Sequence, residues 1–167
     1  MNAVSLFTLA LLHVASGDSF SVRTQLQGLY DEISQATFQF DNETDIDDFH
    51  AVLYTADWTF VDADGRRHSW PEMRQQAVNA LGQPLPDSMQ QVIQKLSLVA
   101  DGAIALITLT TARTIVDGTG RYGRKGAPHT ITTVTLFRDE WVGADDQWRL
   151  KSRAQIGPSR TLVDAED

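Results

Sequence analysis

The sequence contains no cysteine, and its basic residues are outnumbered and scattered. Without cysteine among 167 residues, disulfides, thiolate nucleophiles and zinc–thiolate centres are excluded. Lys and Arg number 14 against 22 Asp and Glu, which gives a formal net charge of −8. Because an acidic chain repels phosphate backbones and anionic lipid surfaces, we expect neither a nucleic-acid partner nor binding to a membrane.

Metal-ligand spacing is also missing. His50, His68 and His129 stand far apart in the sequence, and no two of them have the i, i+2 or i, i+4 spacing of a metal site. The acidic stretch Asp41–Asp48 lacks the central glycine and terminal glutamate of a calcium loop. We therefore expect no metal and no cofactor.

The first 17 residues differ from the rest of the chain. Ala3–Ala15 is almost wholly apolar or small, and Ala15–Gly17 offers small residues at the spacing that signal peptidases prefer. This pattern predicts a cleaved export signal at 1–17, which would place the protein in the periplasm or outside the cell. The alternative is an N-terminal helix that packs on the domain, in which case the protein is cytoplasmic.

Three helices are predicted before residue 82. Apolar residues recur at three- and four-residue steps from Val22 to Phe40, which predicts a long first helix with one face on a core. Carboxylates at Asp45–Asp48 favour the start of a short second helix, where they cap free N–H groups. Ser69–Glu72 is a capping box that opens a third helix.

The second half of the sequence is predicted to be mostly strand. Two short strands flank Asp64-Gly65, a hairpin-turn signal. Four longer strands rich in Thr, Val, Ile and Leu follow, at residues 90–99, 103–116, 130–141 and 147–156. Helices followed by strands indicate an α+β domain with the helices on one face of an antiparallel sheet. The polar segment 158–167 is predicted to be a flexible tail.

This order of elements resembles the nuclear-transport-factor-2-like superfamily, and in particular its SnoaL-like branch. The residues that carry the resemblance are Tyr54–Gly65, Ser69–Glu72 and Trp148–Arg153, and the match extends over residues 22–157. The resemblance implies a domain at 18–157 in which a curved sheet wraps as a cone around the long N-terminal helix, with two further helices. It also implies a deep pocket at the open end of the cone, and a homodimer formed through the sheet face.

The residue best placed for chemistry is Asp62. The segment Tyr54–Gly65 is similar, without gaps, to the segment of ketosteroid isomerases that carries the general-base aspartate, and Asp62 falls on that position. The resemblance therefore implies Asp62 as a base. Tyr30, the only tyrosine on the first helix, and His50, near the apolar side of the second, are the candidate polar helpers. The alternative is that Asp62 and Asp64 only shape the Asp-Gly turn.

The last strand predicts the lining of the pocket. Strict alternation places Trp148, Leu150, Ser152 and Ala154 on the interior face, and Arg149, Lys151 and Arg153 on the exterior. That interior row contains no acid or histidine, which favours binding over catalysis. The residues predicted to contact a ligand are Leu29, Ile33, Trp58, Trp148, Leu150 and Ser152.

Two functions follow from these residues. The first is a pocket that binds a small, mostly hydrophobic molecule without transforming it. The second is a cofactor-independent isomerase, cyclase or dehydratase that uses Asp62 as its general base. Whether the chain is an enzyme stays open at this point.

Overall fold

The computed structural model describes residues 19–144 and 147–164. The predicted export signal at 1–17 lies outside the described residues, as does the end of the predicted tail. No helix in the described ranges is long and apolar enough to cross a membrane.

The described ranges contain the three predicted helices, α1 (Ser19–Ala36), α2 (Glu43–Leu53) and α3 (Trp70–Ala80). The α1 helix ends at Ala36, before Phe40, but it buries the rest of the predicted apolar stripe and packs against a strand of the sheet. The Gln27 side-chain amide bonds the backbone of that strand on both sides, donating to Gln91 O at 2.7 Å and accepting from Ile93 N at 3.0 Å. The predicted capping box opens α3, where Glu72 accepts from Ser69 N. The N-cap of α2 is Asn42, which accepts from Asp45 N, and not one of the carboxylates predicted there.

Seven strands form one curved, open sheet: β1 (Tyr54–Val61), β2 (Arg67–Ser69), β3 (Ser88–Val99), β4 (Gly102–Val116), β5 (Pro128–Ala144), β6 (Gln147–Gln155) and β7 (Arg160–Val163). Their order across the sheet is β2-β1-β6-β5-β4-β3, with β7 beside β5. The predicted meander of four long strands is therefore present, with helices on the interior face.

The expectation of a purely antiparallel sheet is wrong for one pair of strands. Strand β1 runs parallel to β6, with Phe60 opposite Arg153. No tight turn joins these two strands, so nothing local forces them to run antiparallel. The sheet is consequently mixed, and β1 brings its hairpin with β2 next to the end of β6.

The predicted flexible tail is also partly ordered. Residues Arg160–Val163 form β7, which pairs antiparallel with β5, so that Val163 lies opposite Ile131. Strand β5 extends well beyond the end of β6 and leaves backbone groups to be paired there. The tail supplies those hydrogen bonds, a long-range partnership that composition does not reveal.

A β-bulge in β6 reverses the predicted facing of its second half. Trp141 lies opposite Leu150, but Glu140 lies opposite Ser152, which leaves Lys151 as an extra residue. A bulge inserts one residue and thereby shifts the alternation of every residue after it. The prediction that Ser152 and Ala154 face the interior is therefore wrong, and Arg153, which was predicted to face outward, points inward.

Candidate functional site

A buried polar network lies between α1 and the interior face of the sheet. The Tyr30 hydroxyl donates to Asp139 Oδ2 at 2.7 Å and accepts from Trp141 Nε1 at 2.8 Å. Arg153 donates to the same carboxylate twice, from Nε at 2.9 Å and from Nη2 at 2.7 Å. Asp139 and Tyr30 are both 0% exposed. Because a buried charge is tolerated only when it is paired and hydrogen-bonded, Arg153 and Tyr30 are what allow Asp139 to occupy the core.

The network continues from the arginine back to the helix. Arg153 Nη2 also donates to Gln91 Oε1 at 2.9 Å, and Gln91 Nε2 donates to Ser34 Oγ at 3.2 Å. The Ser34 hydroxyl in turn donates to the Tyr30 carbonyl at 2.9 Å. The polar groups of α1, β3, β5 and β6 thus bond to one another, and such a network fixes the relative positions of these elements.

Tyr30 is held in its neutral form. Burial raises the pKa of Tyr30 far above its ordinary value, and the nearby charge of Asp139 raises it further. The hydroxyl proton is already donated to Asp139. Tyr30, predicted as a polar helper in catalysis, is placed here as a structural donor, and its catalytic role stays a prediction.

An aromatic cluster of Phe49, His50, Tyr54, Trp58 and Trp70 fills the space between α2, α3 and β1. The His50 ring stacks on Trp70 with a centroid separation of 3.7 Å, and on Tyr54 at 5.2 Å. Trp58 stands edge-on to Tyr54 at 4.9 Å. The cluster contains two of the predicted site residues, His50 and Trp58.

Two buried nitrogen atoms in this cluster have no hydrogen-bond partner among the described residues, His50 Nε2 and Trp58 Nε1. Burial lowers the pKa of His50, and the charge of Asp47 only partly opposes that change. The imidazole is therefore neutral at neutral pH. The role of His50 as a polar helper stays a prediction.

Two interior side chains keep accessible surface although protein surrounds them. Burial raises the pKa of the Tyr54 hydroxyl. The residue as a whole is half-buried. The Arg153 side chain retains 14% of its surface within the network. Phe60 and Phe137 lie beside Arg153: their ring centroids are 6.3 Å apart, and the guanidinium lies 5.0 Å from the Phe137 centroid. Polar and aromatic surface therefore meet at one place inside the fold.

Asp62 occupies the turn of the β1–β2 hairpin and has two structural tasks. Its Oδ1 accepts from Asp64 N at 3.0 Å and from Arg66 N at 2.9 Å, while Gly65 supplies the positive φ of the turn. Its Oδ2 lies 2.8 Å from His68 Nε2. The hydrogen bond from His68, helped by the two backbone N–H groups, lowers the pKa of Asp62. This direction is opposite to the one that a general base requires.

His68 is the other member of that pair. It is 8% exposed and lies opposite Phe60 across the hairpin, with the two ring centroids 5.8 Å apart. Opposite residues of two paired strands share a face of the sheet, so His68 faces the same side as Phe60. The structure thus joins the two residues Asp62 and His68, which the sequence analysis treated separately.

The residues predicted to contact a ligand divide into two groups. Most of them, Leu29, Ile33, Trp58, Trp148 and Leu150, are buried core residues at 7% exposure or less. Ser152 lies outside this core, because the bulge turns it to the outer face of the sheet, opposite Glu140. Contact of the first group with a ligand stays a prediction.

Sequence reasoning missed the three residues at the centre of the buried network, Gln91, Asp139 and Arg153. A signal for Asp139 was present, because a carboxylate interrupts the apolar residues of β5 between Phe137 and Trp141. Its partner, Arg153, could not be predicted, because the alternation of residues in the sequence does not show the bulge in β6.

Elsewhere, the described residues contain no group of three or more acidic or histidine side chains that could hold a metal ion. A shallow groove of about 320 Å³ lies on the outer face of the sheet, near the β3–β4 turn. Its lining includes Ala100, Ile104, Glu140, Val142 and Lys151. Trp141 of the buried network also contributes to this lining.

No family model matches the chain, and no curated protein matches it in sequence. Solved structures do match its fold. A conserved protein from Planctomyces limnophilus is similar over 86% of this chain and 99% of its own, with a TM-score of 0.62 and 12% identity. An NTF2-like protein from Cytophaga hutchinsonii covers 85% of this chain and 99% of its own, with a TM-score of 0.55 and 10% identity.

An enzyme has the same fold. The structure of LinA is similar over 88% of this chain and 90% of its own, with a TM-score of 0.55 and 16% identity. A type 2 LinA, described as a hexachlorocyclohexane dehydrochlorinase, gives a TM-score of 0.54 at 15% identity. At identities this low, the similarity concerns the fold and says nothing about the activity of this chain. The resemblance drawn from the sequence is confirmed at that level: the chain has the fold of the nuclear-transport-factor-2-like (NTF2-like) superfamily.

Proposed function

We propose that the chain binds a small, mostly apolar molecule in an interior chamber and does not transform it. The chamber is the space bordered by Tyr54, Phe60, Phe137 and Arg153. The observation that carries the proposal is that Tyr54 and Arg153 lie on the interior face of the sheet and still keep accessible surface. Ligand sites are typically concave, mostly apolar and equipped with a few convergent polar groups, and this combination is present here.

The state of the acidic and basic groups supports binding over catalysis. The Asp139 carboxylate is engaged by Arg153 and Tyr30. His50 has a lowered pKa and is enclosed between two aromatic rings. None of these interior groups presents an available base to the chamber.

The test is a binding titration with two matched variants. Phe60→Trp enlarges a side chain at the chamber, whereas Ala100→Trp enlarges one at the outer groove. We expect cyclohexanone and similar cyclic probes to bind the unmodified chain and Ala100→Trp, measured by calorimetry, and to lose affinity for Phe60→Trp. Loss of binding in Ala100→Trp alone would place the ligand in the groove and contradict the proposal.

A second function is favoured by one contact, the 2.8 Å pair of Asp62 Oδ2 and His68 Nε2. With Nε2–H donating to Asp62, the lone pair of Nδ1 is available, because Nδ1 has no partner among the described residues. The carboxylate would then orient His68, and His68, rather than Asp62, would remove a proton from carbon. LinA, which has the same fold, is described as a dehydrochlorinase.

Hydrogen–deuterium exchange on a ketone distinguishes the two functions. A base that reaches an α-carbon exchanges its hydrogen for deuterium in D₂O, which proton NMR of cyclohexanone detects. The binding proposal predicts exchange no faster than in buffer. Exchange that depends on the protein, and that is lost in both His68→Gln and Asp62→Asn, would establish the second function in its place.

A further inference from the structure

We infer that Tyr54 and Arg153 form a pair of hydrogen-bond donors that receives one oxygen atom of the ligand, and that the ligand is therefore a compact, neutral carbonyl compound. This inference rests on the proposed binding function and specifies its ligand. The donors are the Tyr54 hydroxyl and the Nη1 amino group of Arg153.

The free donor of Arg153 follows from its bonding pattern. Nε and Nη2 are both used, on Asp139 and on Gln91. Nη1 makes no hydrogen bond to any residue of the described ranges, and it is not among the buried atoms that lack a partner. Since the side chain keeps 14% of its surface, the remaining N–H groups of the guanidinium face the interior space.

Tyr54 supplies the second donor from the neighbouring strand. It lies opposite Leu150 on β6, three residues before Arg153, and the pairing of the two strands is irregular just after it. Its ring is fixed by contacts with Phe49, His50 and Trp58. The hydroxyl makes no hydrogen bond to a described residue and is not enclosed. An aromatic ring held this firmly, with an unused hydroxyl, is preorganised for a ligand acceptor.

The charges around the pair select a neutral oxygen. Arg153 is neutralised by Asp139 through two hydrogen bonds. A carboxylate or phosphate ligand would approach Asp139 as well as Arg153, and the repulsion would offset the attraction. A carbonyl oxygen needs donors and no counter-charge. Phe60 and Phe137 supply apolar surface for the rest of such a molecule.

The experiment compares two probes of nearly equal shape, cyclohexanone and methylenecyclohexane, which differ in one acceptor oxygen. Calorimetric titration of the unmodified chain should show cyclohexanone binding about tenfold more tightly, as expected for hydrogen bonds made in a dry site. Tyr54→Phe should reduce that preference several-fold and leave the affinity for methylenecyclohexane unchanged. The control is Tyr122→Phe, which removes a hydroxyl from the loop between β4 and β5 and should keep the full preference.

The outcomes separate this inference from the function on which it rests. If both probes bind equally well to the unmodified chain, the donor pair is wrong and the apolar chamber stands. The donor pair is wrong in the same way if Tyr54→Phe keeps the preference for the ketone. If neither probe binds, the proposed function fails together with the inference. Tighter binding of cyclohexanecarboxylate than of cyclohexanone would overturn the choice of a neutral oxygen.

Discussion

Arg153 on β6 and Asp139 on β5 lie directly opposite each other and form a two-bond ion pair in the interior of the fold. The pair exists because Lys151 is an extra residue in β6, which turns Arg153 inward. Around it, Tyr30, Gln91 and Trp141 complete the hydrogen bonding. The fold thus places a strongly polar centre where a purely apolar wall was expected.

Removing Arg153 should lower the stability of the protein. Arg153→Met leaves Asp139, at 0% exposure, without its counter-ion, and we expect a loss of about 3–5 kcal/mol in the free energy of unfolding. Adding Asp139→Leu should recover part of the loss, because the uncompensated charge is then gone. Urea denaturation of the two variants measures this. A double variant that is less stable than Arg153→Met would show that the unpaired charge of Asp139 does not cause the loss of stability.

Two tyrosine-to-phenylalanine substitutions should differ in stability. Tyr30→Phe removes the partner of both Asp139 and Trp141, so we expect a loss of about 1–3 kcal/mol in the free energy of unfolding. Tyr54→Phe removes a hydroxyl that bonds no described residue, and its effect should stay within about 0.5 kcal/mol. Thermal and urea unfolding provide the comparison. Equal losses in the two variants would mean that the Tyr54 hydroxyl has a partner within the protein.

The stabilisation that the loop between β4 and β5 contributes to the folded state should be lost in acid. Asp117 accepts backbone hydrogen bonds from Thr119, Gly120 and Tyr122, and these, above all the one from Tyr122, lower its pKa to about 2. Since the pKa is lower in the folded state, the stabilisation is fully present above the ordinary value of 3.8 and is lost as the pH falls towards 2.

The check is the urea midpoint of the unmodified chain and of Asp117→Asn between pH 5 and pH 2. The advantage of the unmodified chain should shrink across that window, because asparagine does not titrate. An advantage that is constant over the whole window would contradict the assignment to Asp117.

The homodimer stays a prediction, and the outer face of the sheet offers its test. Leu136 and Thr108 lie opposite each other on β5 and β4, on the face away from the helices. If two chains associate through this face, Leu136→Glu should convert a dimer into a monomer, measured by light scattering after gel filtration. Val52→Glu, on the exposed side of helix α2, serves as the control and should not change the mass. A dimer that survives Leu136→Glu would exclude this face.

The helices and long strands could be predicted because their signals are local. The stripe of α1, the capping box at Ser69 and the Asp-Gly turns each depend on residues a few positions apart. The candidate site could be predicted only in part, since His50, Trp58 and Tyr30 already stood out as polar or aromatic groups on core-facing segments.

The remaining features are long-range and leave no local pattern. The parallel pairing of β1 with β6 joins residues about ninety positions apart, such as Phe60 and Arg153. The bulge at Lys151 depends on the hydrogen bonding of β5, and β7 exists because β5 offers it a free edge. For this reason Arg153 was assigned to the wrong face, and the ion pair at the centre of the fold was missed.

The binding proposal is tested most directly by the indole ¹⁵N–¹H spectrum of the chain, which has only four tryptophans, titrated with cyclohexanone. Trp58 contacts Tyr54 in the aromatic cluster, with ring centroids 4.9 Å apart. We predict that its indole signal moves and reaches saturation, and that Phe60→Trp suppresses this response while Ala100→Trp does not. A spectrum in which the Trp58 signal stays in place at saturating ketone, or drifts without saturation, would contradict the interior chamber as a binding site.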